Sequence, residues 1–184
     1  PEVLTLRVVR VPALDASEVL IAVHTAGVGS WDADMREGWW PDSERPGFPL
    51  VLGTDGSGTI AAVGSRVRRF TPGERVYAYS FANPKGGFYA EYVAVAADKA
   101  GRPPAGLSLA EAGAIPTTGL TAIQGIDDVL HVTRGEAVVI HGAAGGVGSL
   151  ALQFAKMPGA RVLATASGRD GIAFVRPLGG GVGA

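Results

Sequence analysis

The run Glu-Ala-Val-Val-Ile-His-Gly-Ala-Ala-Gly-Gly-Val-Gly at residues 136–148 continues as Ser-Leu-Ala-Leu-Gln-Phe-Ala-Lys at 149–156. It reads as a short apolar strand that passes through a glycine-rich turn into an amphipathic helix. The chemistry of such a turn is the binding of a pyrophosphate. The chain must turn tightly after the strand, a phosphate must approach bare backbone N–H groups, and the helix must pack close to the sheet, so each step demands small residues. Ala143, Gly145 and Gly148 take the three glycine positions of a dinucleotide fingerprint, with alanine in the first. Glycine turns are common in a chain with 28 glycines, so context decides. Residues 160–166, Ala-Arg-Val-Leu-Ala-Thr-Ala, read as a second apolar strand, giving the order strand, turn, helix, strand that the mechanism requires.

The end of that second strand bears on which dinucleotide binds. An acidic residue there hydrogen-bonds a ribose 2′-hydroxyl and repels a 2′-phosphate. This chain has Ser167, Gly168 and Arg169 with no carboxylate ahead of Asp170. A hydroxyl and a planar fork of charged donors suit a phosphate, which favours NADPH over NADH. The alternative is that Arg169 is a solvated residue opening the next helix.

A second group of residues lies upstream. Trp31, Trp39 and Trp40 crowd one segment and offer flat surfaces for stacking a planar substrate ring, or else are plugs of a core. Asp32, beside them, is a candidate to orient a loop or relay a proton, or else caps a short helix over residues 30–37. Trp31, Asp32 and Trp40 are the candidate substrate residues. No residue stands out as a catalytic acid.

The elements that must position these groups differ between the two parts of the chain. Residues 19–26, 58–64, 75–79 and 88–95 are short β-branched or aromatic runs separated by Gly, Pro, Asp and Ser, and predict a mostly antiparallel, strand-rich unit. A helix predicted over 118–130 leads to the first strand of the nucleotide unit. The expected domains are residues 1–121, carrying the substrate machinery, and residues 122–184, carrying the nucleotide turn.

Several of these segments together resemble the medium-chain dehydrogenase/reductase superfamily: Glu-Val-Leu-Ile-Ala-Val-His-Thr-Ala-Gly-Val at 18–28, Gly-Thr-Asp-Gly-Ser-Gly-Thr-Ile-Ala-Ala-Val-Gly at 53–64, Phe-Thr-Pro-Gly-Glu-Arg-Val-Tyr at 70–77, Thr-Gly-Leu-Thr-Ala at 118–122 and the turn at 143–148. Within it the chain is most similar to the zinc-independent quinone oxidoreductase, or zeta-crystallin-like, branch. The resemblance implies an α/β chain with a β-rich part: a GroES-like β-barrel catalytic domain followed by a Rossmann doubly wound parallel sheet, here incomplete, with NADPH in the cleft between them. Carried over by position, Ala144, Gly145, Gly146, Val147 and Gly148 are implied as pyrophosphate contacts. Ser167 and Arg169 are implied as the 2′-phosphate pocket, and Thr118 and Thr121 as polar contacts near the nicotinamide. The segment Gly-Val-Gly-Ser-Trp-Asp at 27–32 corresponds to an active-site loop in which Gly29 replaces the usual asparagine, removing a side-chain donor.

The resemblance also bears on metal. Zinc-dependent relatives carry cysteines at the places of Gly29 and Ala114 and a Gly-His-Glu motif where this chain reads Gly53, Thr54 and Asp55. The chain has no cysteine, and His24, His131 and His141 lie in unrelated contexts, so no metal site is expected. Without a Lewis acid, oxidation of an alcohol lacks a means of lowering the hydroxyl pKa. Reduction of a quinone or an α,β-unsaturated carbonyl needs only alignment with the cofactor and a donor to the developing oxyanion. The expected activity is therefore NADPH-dependent reduction of such substrates. An enoyl-thioester reductase of the same superfamily, a non-catalytic NADPH-binding module and an interaction module are the alternatives.

Composition sets outer bounds. Sixteen Lys and Arg against 17 Asp and Glu leave a formal charge of −1, and the cluster Arg66, Arg68 and Arg69 is a small surface patch. Nucleic acid and membrane are not expected partners; a cytoplasmic enzyme is expected, and the resemblance implies a homodimer for the full-length protein. Relatives are longer than these 184 residues, both ends look cut, and the chain is expected to be either a fragment of a longer polypeptide or a protein whose missing part another chain supplies. Only two parallel strands are expected in the nucleotide part.

Overall fold

The computed structural model describes residues 4–39, 49–179 and 181–183. The chain forms two compact units, divided between Pro116 and Thr117.

In the first unit, strands β1 (Glu18–Ala26), β2 (Asp55–Val63), β3 (Arg75–Tyr79), β4 (Tyr92–Ala96) and β5 (Ala100–Gly101) form one antiparallel sheet in the order β4-β1-β2-β3-β5. Alternation drives it. Val19 and Ile21 of β1 point inward, paired with Val95 and Val93 on one side and with Val63 and Ile60 on the other. They meet Val76, Ala78, Phe70 and Phe88 in a single apolar core, which is the period-two burial expected of half-buried strands. Helix α1 (Ser30–Glu37) follows β1 directly, and the short helix α2 (Leu109–Ala112) is opened by a capping box between Ser108 and Glu111.

The sequence-based strand at 88–95 needs correction. Phe88 and Tyr89 lie outside β4, because their N–H groups donate to the carbonyls of Gly53 and Leu52 at 2.9 and 2.8 Å, while Gly87 donates to Val51. The aromatic run therefore closes a loop over residues 51–53 instead of extending the sheet. Phe88 fills the core above Gly56, where a Cβ would come within 2.6 Å of its ring.

The second unit begins with α3 (Pro116–Ile123), which runs on as a π-helical turn over Gln124–Val129. It continues β6 (Ala137–Ile140), α4 (Gly146–Lys156), β7 (Arg161–Thr165), α5 (Gly168–Val175) and β8 (Gly181–Gly183). The three strands are parallel in the order β6-β7-β8, half of a doubly wound sheet. The third strand corrects the expectation of two. Glycine is a poor strand former with no side-chain pattern to display, so Gly181–Gly183 is held by backbone pairing with Leu163, Ala164 and Thr165. Leu152, Ala155 and Val175 cover the face of the sheet formed by Ile140, Val162 and Ala164. On the other face the paired residues Val139 and Leu163 are 55% and 49% exposed. Among the described residues no helix is long and apolar enough to cross a membrane.

Candidate functional site

The glycine turn lies where β6 ends and α4 begins, at the carboxyl ends of the parallel strands. Its left-handed residue is Gly142 (φ 66°), one position ahead of Ala143, which is fully buried. The tight bend thus precedes the position assigned to it from the fingerprint. Gly145 N–H donates to the Gly142 carbonyl at 2.9 Å, and Gly145 caps α4 in an extended conformation with no side-chain acceptor on the helix. A Cβ on Gly148 would come within 2.4 Å of the Gly142 carbonyl oxygen, so the helix enters the turn closer than any side chain allows. The first N–H groups of a helix have no intrahelical partner, and α4 carries no acidic residue in its first turn. Within the stretch Ala144–Gly148, the Gly145 N–H is therefore taken, while those of Gly146, Val147 and Gly148 open a helix with no acidic residue in its first turn.

Two further sets of candidates are brought to this turn. Thr118 of α3 packs against it, 3.0 Å from where a Cβ on Gly146 would lie. Thr121, one turn along, donates its hydroxyl to the Thr117 carbonyl at 2.8 Å. The opening of α5 meets the turn through Gly171, whose Cβ would lie 3.4 Å from both Ala144 and Ala166. Ser167 caps α5 without a side-chain bond, and both Ser167 and Arg169 are exposed.

Sequence reasoning missed His141 and Thr165. The Thr165 carbonyl accepts from Ala143 N–H at 2.8 Å, and its hydroxyl oxygen lies 3.2 Å from His141 Nδ1 and 3.3 Å from Gly142 N. Together they tie the end of β7 to the turn. The available signal was a polar residue ending each apolar strand.

The second group belongs to the first unit and centres on Asp32, which is 5% exposed. Its carboxylate accepts from Gly29 N–H at 2.9 Å, from Gly53 N–H at 3.2 Å and from the Tyr89 hydroxyl at 3.1 Å. The cap of α1 is Gly29, and Asp32, in the first turn, supplies the acceptor for the cap N–H while also stapling three separated segments. Burial first, and then the negative charges of Asp32 and Asp55, push the Tyr89 phenol up to about 12. Burial and Asp55 likewise raise Tyr79. Asp55 is buried beside Gly27, where a Cβ would come within 2.2 Å of its carboxylate and 3.2 Å of the Gly113 carbonyl. The residues around 27–29, 53–55 and 113 thus form one corner.

Trp31 lies on Gly29, since a Cβ at Gly29 would come within 2.2 Å of indole Cε2 and Cζ2. Among the described residues, Trp31 Nε1 and Thr54 Oγ1 are covered by protein yet have no hydrogen-bond partner. Native proteins leave few such atoms, because each costs about 1–3 kcal/mol. An open cavity of about 480 Å³ is lined by Ser30, Trp31, Asp34, Glu37 and Trp39. Trp39 is exposed and meets Phe81 edge-on at 6.4 Å, while Trp40 lies outside the described residues. Among the described residues no group of three or more His, Cys, Asp or Glu side chains gathers as metal ligands would.

Residues 15–105 match the alcohol dehydrogenase GroES-like domain. The chain is 36% identical to a quinone oxidoreductase of Mus musculus over 93% of its own length and 50% of that relative's. It thus spans about half the length of the curated relatives it matches. Among solved structures, an alcohol dehydrogenase superfamily protein from Novosphingobium aromaticivorans superposes with a TM-score of 0.90 at 35% identity, over 97% of this chain and 54% of that one. An Escherichia coli quinone oxidoreductase complexed with NADPH gives 0.82 at 29% identity, covering 96% and 52%. CurK enoyl reductase gives 0.77 at 28% identity, covering 96% and 53%.

Proposed function

Because the chain belongs to the medium-chain dehydrogenase/reductase superfamily and is built as its quinone oxidoreductases are, we propose that the protein is an NADPH-dependent, zinc-independent oxidoreductase. Its substrates in this reading are quinones or α,β-unsaturated carbonyls, reduced by hydride transfer. The observation that carries the reading is the uncapped glycine turn at 142–148 beside Ser167 and Arg169.

The residues present fit the cofactor. The backbone from Ala144 to Gly148 holds the pyrophosphate at the start of α4. Ser167 and Arg169, at the start of α5, hold the 2′-phosphate, with no carboxylate at the end of β7 to oppose it. Thr118, which packs against the turn, and Thr121, one helical turn further on, would contact the nicotinamide end of the cofactor. When bound, NADPH supplies the hydride, and the protein supplies orientation and polarity. The relative complexed with NADPH supports the same assignment. Zinc fits poorly: Gly29, Thr54 and Ala114 stand where zinc-dependent relatives place two thiolates and an imidazole.

Cofactor fluorescence titrations with NADPH and NADH test the reading. NADPH binding that exceeds NADH binding, and loses that margin in Arg169→Ala, is the expected result; equal binding of both cofactors by the parent protein overturns the NADPH assignment. A screen of quinones and enones then tests turnover. A second reading, enoyl-thioester reduction, is favoured by the likeness to CurK enoyl reductase. Turnover of a crotonyl thioester in preference to any quinone would establish it.

A further inference from the structure

Thr165, the last residue of β7, holds the glycine turn in two ways. Its carbonyl accepts from Ala143 N–H at 2.8 Å, a bond that any residue ending a parallel strand can offer. Its hydroxyl oxygen accepts from Gly142 N–H at 3.3 Å, which only a hydroxyl-bearing residue can do. Because a lone pair of Oγ1 faces Gly142, the Thr165 proton is left to point at His141 Nδ1, 3.2 Å away, which accepts it in the neutral imidazole. His141 thereby sets the direction of the hydroxyl.

Gly142 is the left-handed residue of the bend (φ 66°), and glycine holds a conformation less firmly than any other residue. Packing does not fix it, since a Cβ at Gly142 would meet nothing within 4 Å. Hydrogen bonds to the two peptide planes that flank it do. The plane after Gly142 is held at both ends, by Ala143 N–H on the Thr165 carbonyl and by the Gly142 carbonyl on Gly145 N–H. The plane before it is held through Gly142 N–H by the Thr165 hydroxyl. The same bend decides where α4 starts, and so where the N–H groups of Gly146, Val147 and Gly148 point.

We propose that the Thr165 side chain is a positioning group for the cofactor's pyrophosphate. Its hydroxyl fixes the Gly142 bend so that the N–H groups opening α4 meet the phosphate already oriented, and His141 acts one step further back, through that hydroxyl. The inference rests on the cofactor reading above. Gly142 is exposed, so water replaces the hydroxyl as a hydrogen-bond acceptor when it is removed. Water satisfies the N–H without holding the peptide plane, which separates the effect on affinity from any effect on folding.

Thr165→Val keeps the β-branched shape that suits a strand and removes the hydroxyl. Its NADPH dissociation constant is expected to rise about tenfold, the worth of one well-placed hydrogen bond, with the urea unfolding transition unchanged. Thr165→Ser returns the hydroxyl and is expected to recover affinity to within about twofold of the parent. His141→Ala is expected to weaken NADPH binding about threefold in the parent and not at all in Thr165→Val, because its effect passes through the hydroxyl. Adenosine 2′-monophosphate, which carries no pyrophosphate, should bind the parent and Thr165→Val alike. Parent-like NADPH affinity in Thr165→Val, no recovery in Thr165→Ser, an equal loss for adenosine 2′-monophosphate, or a His141 effect that persists without the hydroxyl overturns the assignment. A parent protein that binds neither NADPH nor NADH brings down the cofactor reading and this inference together, whereas tight NADPH binding that Thr165→Val leaves intact sinks the positioning role alone.

Discussion

Asp32 accepts a hydrogen bond from Gly53 N–H at 3.2 Å across 21 positions of sequence. With the bonds from Gly29 and Tyr89, that single carboxylate holds the start of α1 against the loop leading into β2. Asp32→Ala leaves two backbone N–H groups and a phenol without an acceptor. It should cost about 3 kcal/mol in urea unfolding, since hydrogen bonds to charged groups are worth about 1.5–3 kcal/mol each and solvent recovers part of the loss. Asp32→Asn, which keeps the shape and one carbonyl oxygen, should cost roughly half as much. Equal stability of Asp32→Ala and the parent would show that the staple holds nothing.

Gly29 and Trp31 should behave as a coupled pair. The backbone at Gly29 is extended (φ −122°), so alanine meets no conformational objection there, only the indole. Gly29→Ala should destabilise the first unit by about 1–3 kcal/mol, the usual cost of overpacking. In Trp31→Ala the penalty for the added methyl should vanish, giving a coupling of at least about 1 kcal/mol in a double-mutant cycle. Additive effects would mean that the ring moves aside at no cost.

What could be read from sequence was what is local. The β-branched runs of β1 and of the second half of β2, the span of α1 and the glycine turn before α4 each follow from neighbouring residues, and the structure places them there. Long-range and side-chain-poor features were not legible. Phe88 has strand chemistry, but its N–H pairs with Gly53 instead of a sheet neighbour. Gly181–Gly183 pairs as a strand with no pattern to announce it. The three donors on Asp32 come from positions 29, 53 and 89, which no spacing rule connects.

Tyr89 makes the stability of the first unit depend on alkaline pH. Its phenol ionises at about 12 in the folded chain, above the ordinary value of 10.0, because of burial and two nearby carboxylates. The folded state therefore keeps a proton that the unfolded state releases. The Tyr89 contribution is intact below pH 10 and is lost as pH rises from 10 toward 12. Unfolding of the parent should weaken more over that window than unfolding of Tyr89→Phe. Phenolate absorbance of the folded protein should gain a late-titrating component that the variant lacks. Parallel stability curves for the two proteins would show that Tyr89 ionises as it does when unfolded.

Gly148 and Gly145 share one turn but should tolerate alanine differently. A Cβ on Gly148 would press within 2.4 Å of the Gly142 carbonyl oxygen and 2.8 Å of Ala143 Cα, both backbone atoms that cannot swing aside. At Gly145 the nearest atom is the same carbonyl at 3.3 Å, a contact that a small shift relieves. Gly148→Ala should therefore push α4 away from β6, lowering stability by about 2 kcal/mol or more, in the range of overpacked sites, and abolishing NADPH binding with it. Gly145→Ala should fold almost as well as the parent. Its methyl projects from the helix cap where backbone must meet phosphate, so NADPH affinity should fall while stability holds. Paired urea unfolding and cofactor titration separate the two cases. Loss of stability without loss of binding in Gly148→Ala would show that the close approach of α4 to the turn serves packing alone.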